Sequence, residues 1–223
     1  MECIDYSAFL ATTPLFEGST SDEIAGMLGC LDARVKKYKA GSYIYRMGDK
    51  VSEVGLVLEG RVRIENVDAW GNVNVIGSEG PGQLFLESHA AVPDEPLLVN
   101  AVASEKATVM FLNLKKVLTT CPRNCPNHCR TSTNMTSGIA RKNLRLSKRI
   151  LHAAPRTIRG KALAYLSYES ERAGSPEFTI PYDRQQLADY LGVDRSALSA
   201  ELGRMQKAGL IETKRSHFVL KNV

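Results

Sequence analysis

The chain contains no run of 18 or more apolar residues, so no segment of it is expected to cross a bilayer as a helix. Its start, Met1-Glu-Cys-Ile-Asp-Tyr6, lacks the basic stretch followed by an apolar run that marks a secretory leader. A soluble, cytoplasmic protein without a membrane partner is expected. The five cysteines are an odd number, which argues against a disulfide framework. No Walker A loop, no Gly-x-Ser-x-Gly elbow and no His-Glu-x-x-His pair is present, and no other catalytic constellation stands out, so an enzyme is not expected. Aromatic residues are scarce at 7%. The single tryptophan, Trp70, precedes Gly71 and reads as the cover of a hairpin tip rather than a platform for a base.

What is present is an uneven charge. The net formal charge is +5, but residues 1 to 145 carry 16 basic and 16 acidic side chains, whereas 146 to 223 carry 13 and 8. The whole excess lies in the last third, the distribution expected where a segment meets phosphates.

That last third holds a strong pattern between Pro181 and Leu220. Asp183 with Gln186 three residues on forms a capping box for a helix in which Leu187, Ala188 and Leu191 share a face. Gly192 can take the left-handed conformation that ends this helix. Asp194 caps a second helix, with Leu198, Leu202 and Met205 on one side and Arg195, Ser196, Ser199 and Ala200 on the other. Two short β-prone runs, Leu210 to Thr213 and His217 to Leu220, flank a basic tip of Lys214, Arg215 and Ser216. Together these read as a winged helix-turn-helix that lays its second helix in a DNA major groove. The candidate DNA-binding residues are Arg184, Gln185, Arg195, Ser196, Ser199, Ala200, Arg204, Lys214 and Arg215. Upstream, a helix from Arg159 to Ala173 carries Tyr165 and Tyr168 as packing residues, and Glu177 to Ile180 is a short strand between Pro176 and Pro181.

The first half differs. Thr20-Ser-Asp-Glu23 is a capping box ahead of Ile24, Met27, Leu28 and Leu31. From Val35 to Leu114 the pattern becomes short β-branched or alternating runs at 42–45, 55–58, 61–64, 73–76, 101–103 and 108–112, punctuated by glycines. Such spacing indicates an antiparallel barrel or jelly roll. Tyr38-Lys-Ala-Gly41, Tyr45-Arg-Met-Gly-Asp49, Val57-Leu-Glu-Gly-Arg-Val62 and Gly80-Pro-Gly-Gln-Leu-Phe85 resemble the glycine-marked turns of the cyclic-nucleotide-binding β-roll. With the C-terminal motif, the chain from about Leu15 to Leu220 resembles the Crp/Fnr family of bacterial transcription regulators.

The resemblance implies an α+β fold with a double-stranded β-helix of jelly-roll type at the N-terminus, a long dimerisation helix and a C-terminal winged helix domain. The expected boundaries are 1–122, 123–152 and 153–223. It also implies a homodimer, an effector, a near-palindromic double-stranded DNA operator, and RNA polymerase as a further partner. In the mechanism it implies, an effector shifts the population between two orientations of the DNA-binding domains about a hinge near Ala153 to Thr157, which Pro155 marks by stopping the long helix. Better-known members carry Glu where Ser196 stands and Arg where Ala200 stands, so the operator should differ from theirs.

The ligand motif departs from the family. Cyclic-AMP-binding members hold the ribose with a Gly-Glu pair and, ten residues after that Glu, the phosphate with an Arg followed by Ser or Thr. Here the matching residues are Leu86-Glu87 and Leu97-Leu98. Glu87 retains a hydroxyl acceptor, but the charge-assisted phosphate contacts are gone, and burying a phosphate without them is costly. Binding of cyclic AMP or cyclic GMP in the usual way is therefore not expected. Leu86, Leu97, Leu98 and Val99 either line an apolar pocket for another small molecule or fill it as core.

In the connecting segment 124–151, Met135, Ile139, Leu146 and Ile150 recur with gaps of 4, 7 and 4, a heptad-like seam interrupted by Lys142. These five are the candidate dimer-interface residues; the alternative is a long helix packed against its own β-roll. Cys121, Cys125, His128 and Cys129 are candidate ligands for zinc, an iron–sulfur cluster or haem, or a redox sensor, since Cys125, His128 and Cys129 would share a helix face. Against this, Cys is also a common buried hydrophobe, and Cys3 and Cys30 are too few for the N-terminal cysteine set of iron–sulfur members of the family. No cofactor is assigned outright. The rival functions are a metal, haem or redox-sensing regulator using that cluster, and a cyclic-nucleotide-binding signalling module.

Overall fold

A computed structural model describes residues 6–119 and 126–221. Two compact units meet inside one long helix: 1–141 and 142–223. The boundaries expected from sequence gave that helix a domain of its own; here each unit owns part of it.

The N-terminal unit opens with α1 (Ser7–Leu10) and α2 (Ser21–Leu28). The capping box of α2 forms as expected, with Thr20 Oγ accepting from Glu23 N and the Glu23 carboxylate accepting from Thr20 N at 2.8 Å. Eight strands follow, interrupted by one short helix: β1 (Arg34–Tyr38), β2 (Tyr43–Tyr45), β3 (Glu53–Glu59), β4 (Val62–Val67), β5 (Val73–Glu79), β6 (Leu84–Phe85), α3 (Glu87–Ala91), β7 (Asn100–Ala103) and β8 (Ala107–Asn113). They build two four-stranded antiparallel sheets, ordered β1-β8-β3-β6 and β2-β7-β4-β5.

Strand β3 is buried on both faces, which is why it reads as a continuous apolar run rather than an alternation. Val54, Leu56 and Leu58 join the helical residues Leu10, Ile24, Met27 and Leu28 in one core. Val57 joins Val62, Phe85, Leu97, Val109 and Phe111 in another. Gly55 is required because a Cβ there would lie 2.2 Å from the Phe85 ring.

After α4 (Leu114–Leu118), helix α5 (Pro126–Ala153) runs across the boundary between the units. The second unit then adds α6 (Ile158–Ala173), β9 (Glu177–Thr179), α7 (Arg184–Leu191), α8 (Arg195–Lys207), β10 (Ile211–Lys214) and β11 (His217–Leu220). Strand β9, read from sequence only as an approach to the helices, is the third strand of the wing sheet, in the order β10-β11-β9. Phe178 opposes Phe218 across it, with ring centroids 6.3 Å apart. Ala162, Tyr165, Leu166, Leu187, Leu198, Leu202 and Met205 complete this unit's core. Among the described residues, no helix is long and apolar enough to cross a membrane.

Candidate nucleic-acid interface and effector pocket

The helix-turn-helix forms through the chemistry its sequence announces. Asp183 accepts from Gln186 N at 2.8 Å while the Gln186 carboxamide oxygen accepts from Asp183 N at 2.9 Å. Gly192 ends α7 with φ 62°, and Val193 N donates back to Ala188 O at 3.0 Å. Asp194 then starts α8 by accepting from Ala197 N at 2.8 Å. Leu198, Leu202 and Met205 are buried, which turns Arg195, Ser196, Ser199 and Ala200 outward to solvent.

The exposed face is not uniform. Ser196 Oγ donates to the Asp194 carboxylate, and this bond, with the backbone N–H of Ala197, holds the Asp194 carboxyl below its ordinary range. Ser199 Oγ donates to Arg195 O at 2.9 Å. With their protons committed inside the helix, both serines present mainly acceptor lone pairs. Arg195 remains exposed on the first turn of α8 with its donor fork available for a base edge.

Other candidates are more tied down. Arg184 is half-buried, with its guanidinium carbon 5.7 Å from the Phe218 ring and one N–H donated to Arg215 O at 3.3 Å; burial lowers its pKa. It braces the wing against α7. Gln185 Nε2 donates to Asp189 Oδ1 at 2.8 Å. Lys214 and Arg215 stand exposed at the wing tip, where Arg215 adopts φ 57° to close the turn.

Arg204 is paired with Glu201, Nε to Oε2 at 2.8 Å, and the same carboxylate receives Arg159 Nε from α6 at 2.6 Å. Arg159 first, then Arg204, holds the Glu201 carboxyl below its usual range. Sequence reasoning missed this node. The signal was there: Glu201 sits on the same helical stripe as Leu198, Leu202 and Met205, where a carboxylate needs a cation.

In the β-roll, three of the four apolar pocket candidates converge. Leu86 heads α3 in the left-handed conformation, φ 61°, and packs with Leu97 in the core between the sheets; Val99 lies half-buried against it. Leu97 is 1% exposed and is fixed by Leu97 N to Asp49 O at 2.9 Å and Gly48 N to Leu97 O at 2.8 Å. Leu98 does not converge: it is 69% exposed, in the bend that precedes β7, while Leu97 beside it is held in the core by its backbone bonds to Asp49 and Gly48. Glu87 is buried at the start of α3.

The expected seam divides at the unit boundary. Met135 is fully buried in the N-terminal core and Ile139 packs against it, so these two follow the alternative of a helix lying on its own β-roll. Lys142 is half-buried. Leu146 and Ile150 are 61% and 68% exposed, and Leu144 and Leu151, not foreseen as a pair, are equally open.

Of the metal candidates, Cys121 and Cys125 lie outside the described residues. His128 turns inward and its Nε2 meets Lys116 O at 2.6 Å, so that nitrogen carries the proton; Cys129 is exposed. Adjacent positions on a helix do not face each other, and His128 and Cys129 do not converge. Among the described residues, no three His, Cys, Asp or Glu side chains form a group able to hold a metal.

Residues 35–124 match the family model for the cyclic nucleotide-binding domain, and residues 160–223 match that for the Crp-like helix-turn-helix domain. Electron transport regulator A of Shewanella oneidensis is 22% identical over 193 residues, covering 84% of this chain and 74% of that protein. The fold is shared with the catabolite activator protein of Thermus thermophilus, at TM-score 0.51 and 22% identity over 94% of both chains. It is shared also with the c-di-GMP-responsive global regulator CLP of Xanthomonas campestris, at TM-score 0.52 and 17% identity over 91% of this chain and 100% of that one.

Proposed function

The chain belongs to the Crp/Fnr family of DNA-binding transcription regulators, which are not enzymes, and we propose that it acts as a cytoplasmic homodimer governed by an effector other than cyclic AMP. The observation that carries this reading is the face of α8: Arg195, Ser196 and Ser199 are exposed over a fully buried apolar side, with a basic wing tip beside them. Arg195 is the candidate for a bidentate guanine contact; Lys214 and Arg215 are candidates for phosphate.

The dimer reading is supported by α5, where Leu146 and Ile150 one turn apart, and Leu144 and Leu151 two turns apart, leave apolar surface uncovered in the single chain. Two copies would present two recognition helices roughly 34 Å apart, matching successive major grooves. The effector reading is supported by Leu97, a core residue where cyclic-AMP-binding members carry a cation. The chemistry there favours an apolar effector over an anionic one.

Footprinting on the DNA upstream of the chain's own gene tests the reading, with cyclic AMP added in a parallel series. The expected result is protection of a near-palindromic site that cyclic AMP leaves unchanged. Protection no stronger than on random duplex would contradict the regulator reading; protection that appears only with cyclic AMP would contradict the effector reading.

A further inference from the structure

From Lys106 to Tyr168 the chain contains no Asp or Glu, although 13 Lys and Arg fall in that stretch. The basic side chains of α5 therefore have no local carboxylate, and the structure shows what some of them bind instead. Arg149 directs Nη2 to Asp189 O at 3.1 Å and Nε to Tyr190 O at 3.2 Å, the last-turn carbonyls of α7. Lys161 of α6 donates to the next one, Leu191 O, at 3.2 Å. Three last-turn carbonyls, of which Asp189 O also accepts from Gly192 N at 3.3 Å, are thus met by two cations, at the end where the helix dipole favours positive charge.

One turn after Arg149, His152 is buried, with Nδ1 2.8 Å from Tyr190 Oη and its ring 5.4 Å and 5.1 Å from the rings of Tyr165 and Tyr168. Lys148 Nζ donates to Tyr168 Oη at 2.6 Å. The link from α5 to α6 is short; Ala154, Arg156 and Thr157 are exposed, but Pro155 is half-buried against Gly160, where a Cβ would lie 2.8 Å from Pro155 Cβ, and Thr157 Oγ accepts from Gly160 N at 3.0 Å. Earlier in α5, Ala140 to Ser147 are exposed apart from half-buried Lys142, and the boundary between the compact units falls among them, whereas Arg149 and His152 are tied to α7.

We propose that Arg149 and His152 are positioning residues for DNA recognition, clamping the last turn of α5 onto the C-terminal end of α7. The last turn of α5 and the helix-turn-helix then hold together across the link 154–157, and a regulatory signal that reaches this turn is passed to α8 through α7. The inference rests on the DNA-binding reading for its consequence, but not for its geometry.

The test uses the full-length chain with Arg149→Gln, Arg149→Lys and, as a control of equal charge change on an exposed neighbour, Arg145→Gln. Amide exchange should rise about tenfold in peptides spanning 149–153 and 188–193 for Arg149→Gln, partly for Arg149→Lys, and not for Arg145→Gln. On DNA, Arg149→Gln should bind a two-half-site duplex about tenfold more weakly while binding an isolated half-site as the wild type does. A merely structural role would weaken both equally. Unchanged exchange in both peptides, or equal loss on both duplexes, overturns the proposal. If the wild type binds no duplex specifically, the regulator reading fails, and the exchange result alone decides the clamp.

Discussion

The two units treat leucine and arginine in opposite ways. In the winged helix unit, Leu198, Leu202 and Met205 go inside so that the opposite face of α8 keeps Arg195 in solvent, ready for an anion-rich partner. In the β-roll, Leu97, which the sequence resemblance matches to the family's phosphate-binding cation, sits in the core with Leu86 and Phe85. On the proposed reading, the output face keeps a free cation while the input site is packed with apolar side chains. A fold held in common does not by itself fix the ligand, which depends on the side chains at the site.

The contrast is broken most severely by putting the cation back. Leu97→Arg should destabilise the N-terminal unit by about 3 kcal/mol or more, because a guanidinium would be buried among Val57, Phe85 and Val109 without a partner. Leu98→Arg, one residue on but exposed, should stay within about 0.5 kcal/mol. Denaturant titration of both variants checks this pair; a tolerated Leu97→Arg would mean that a polar pocket exists.

Next in size, Arg195→Ala should cost about 1–3 kcal/mol on the operator and little on random duplex, measured by competition. Equal loss on both would make Arg195 a phosphate contact. Lys214→Ala should weaken binding to all duplexes alike and reduce the slope of log affinity against log salt by about 1.

The smallest effect concerns pH. Burial first, then the neighbouring Lys148 charge, holds the pKa of His152 below its ordinary value, and the tyrosines 165, 168 and 190 complete its surroundings. Above about pH 6.5 the imidazole is neutral in both folded and unfolded chains. As pH falls below that, the unfolded chain takes the proton first, so stability of this unit should decline until the folded value is passed. His152→Phe should flatten the decline; an unchanged slope would assign it to another group.

How much of this was legible depended on whether the determinant was local. Both capping boxes, the Gly192 turn and the Asp194 cap rest on side chains within three residues of the backbone they serve, and all form as read. The heptad-like spacing of Met135 to Ile150 was local too, but spacing identifies an apolar stripe and not what covers it: the first two residues found the chain's own core. Leu97 and Leu98 look alike in sequence, and what separates a core residue from an exposed one is a pair of backbone bonds from Leu97 to Gly48 and Asp49, nearly fifty residues away. The pairing of Glu201 with Arg159 spans 42 residues and needed the fold, although a carboxylate on an apolar stripe was its signature. The clamp at Arg149 was invisible because its acceptors are backbone carbonyls, which carry no residue identity.

The central claim is that α8 reads bases as one half of a symmetric pair. Selection of duplexes bound by the full-length chain from a random pool tests it most directly. The account predicts enrichment of two inverted half-sites whose centres lie about one helical turn, or a multiple of it, apart. Recovery of unenriched sequence, or of a single half-site without its inverted copy, would contradict it.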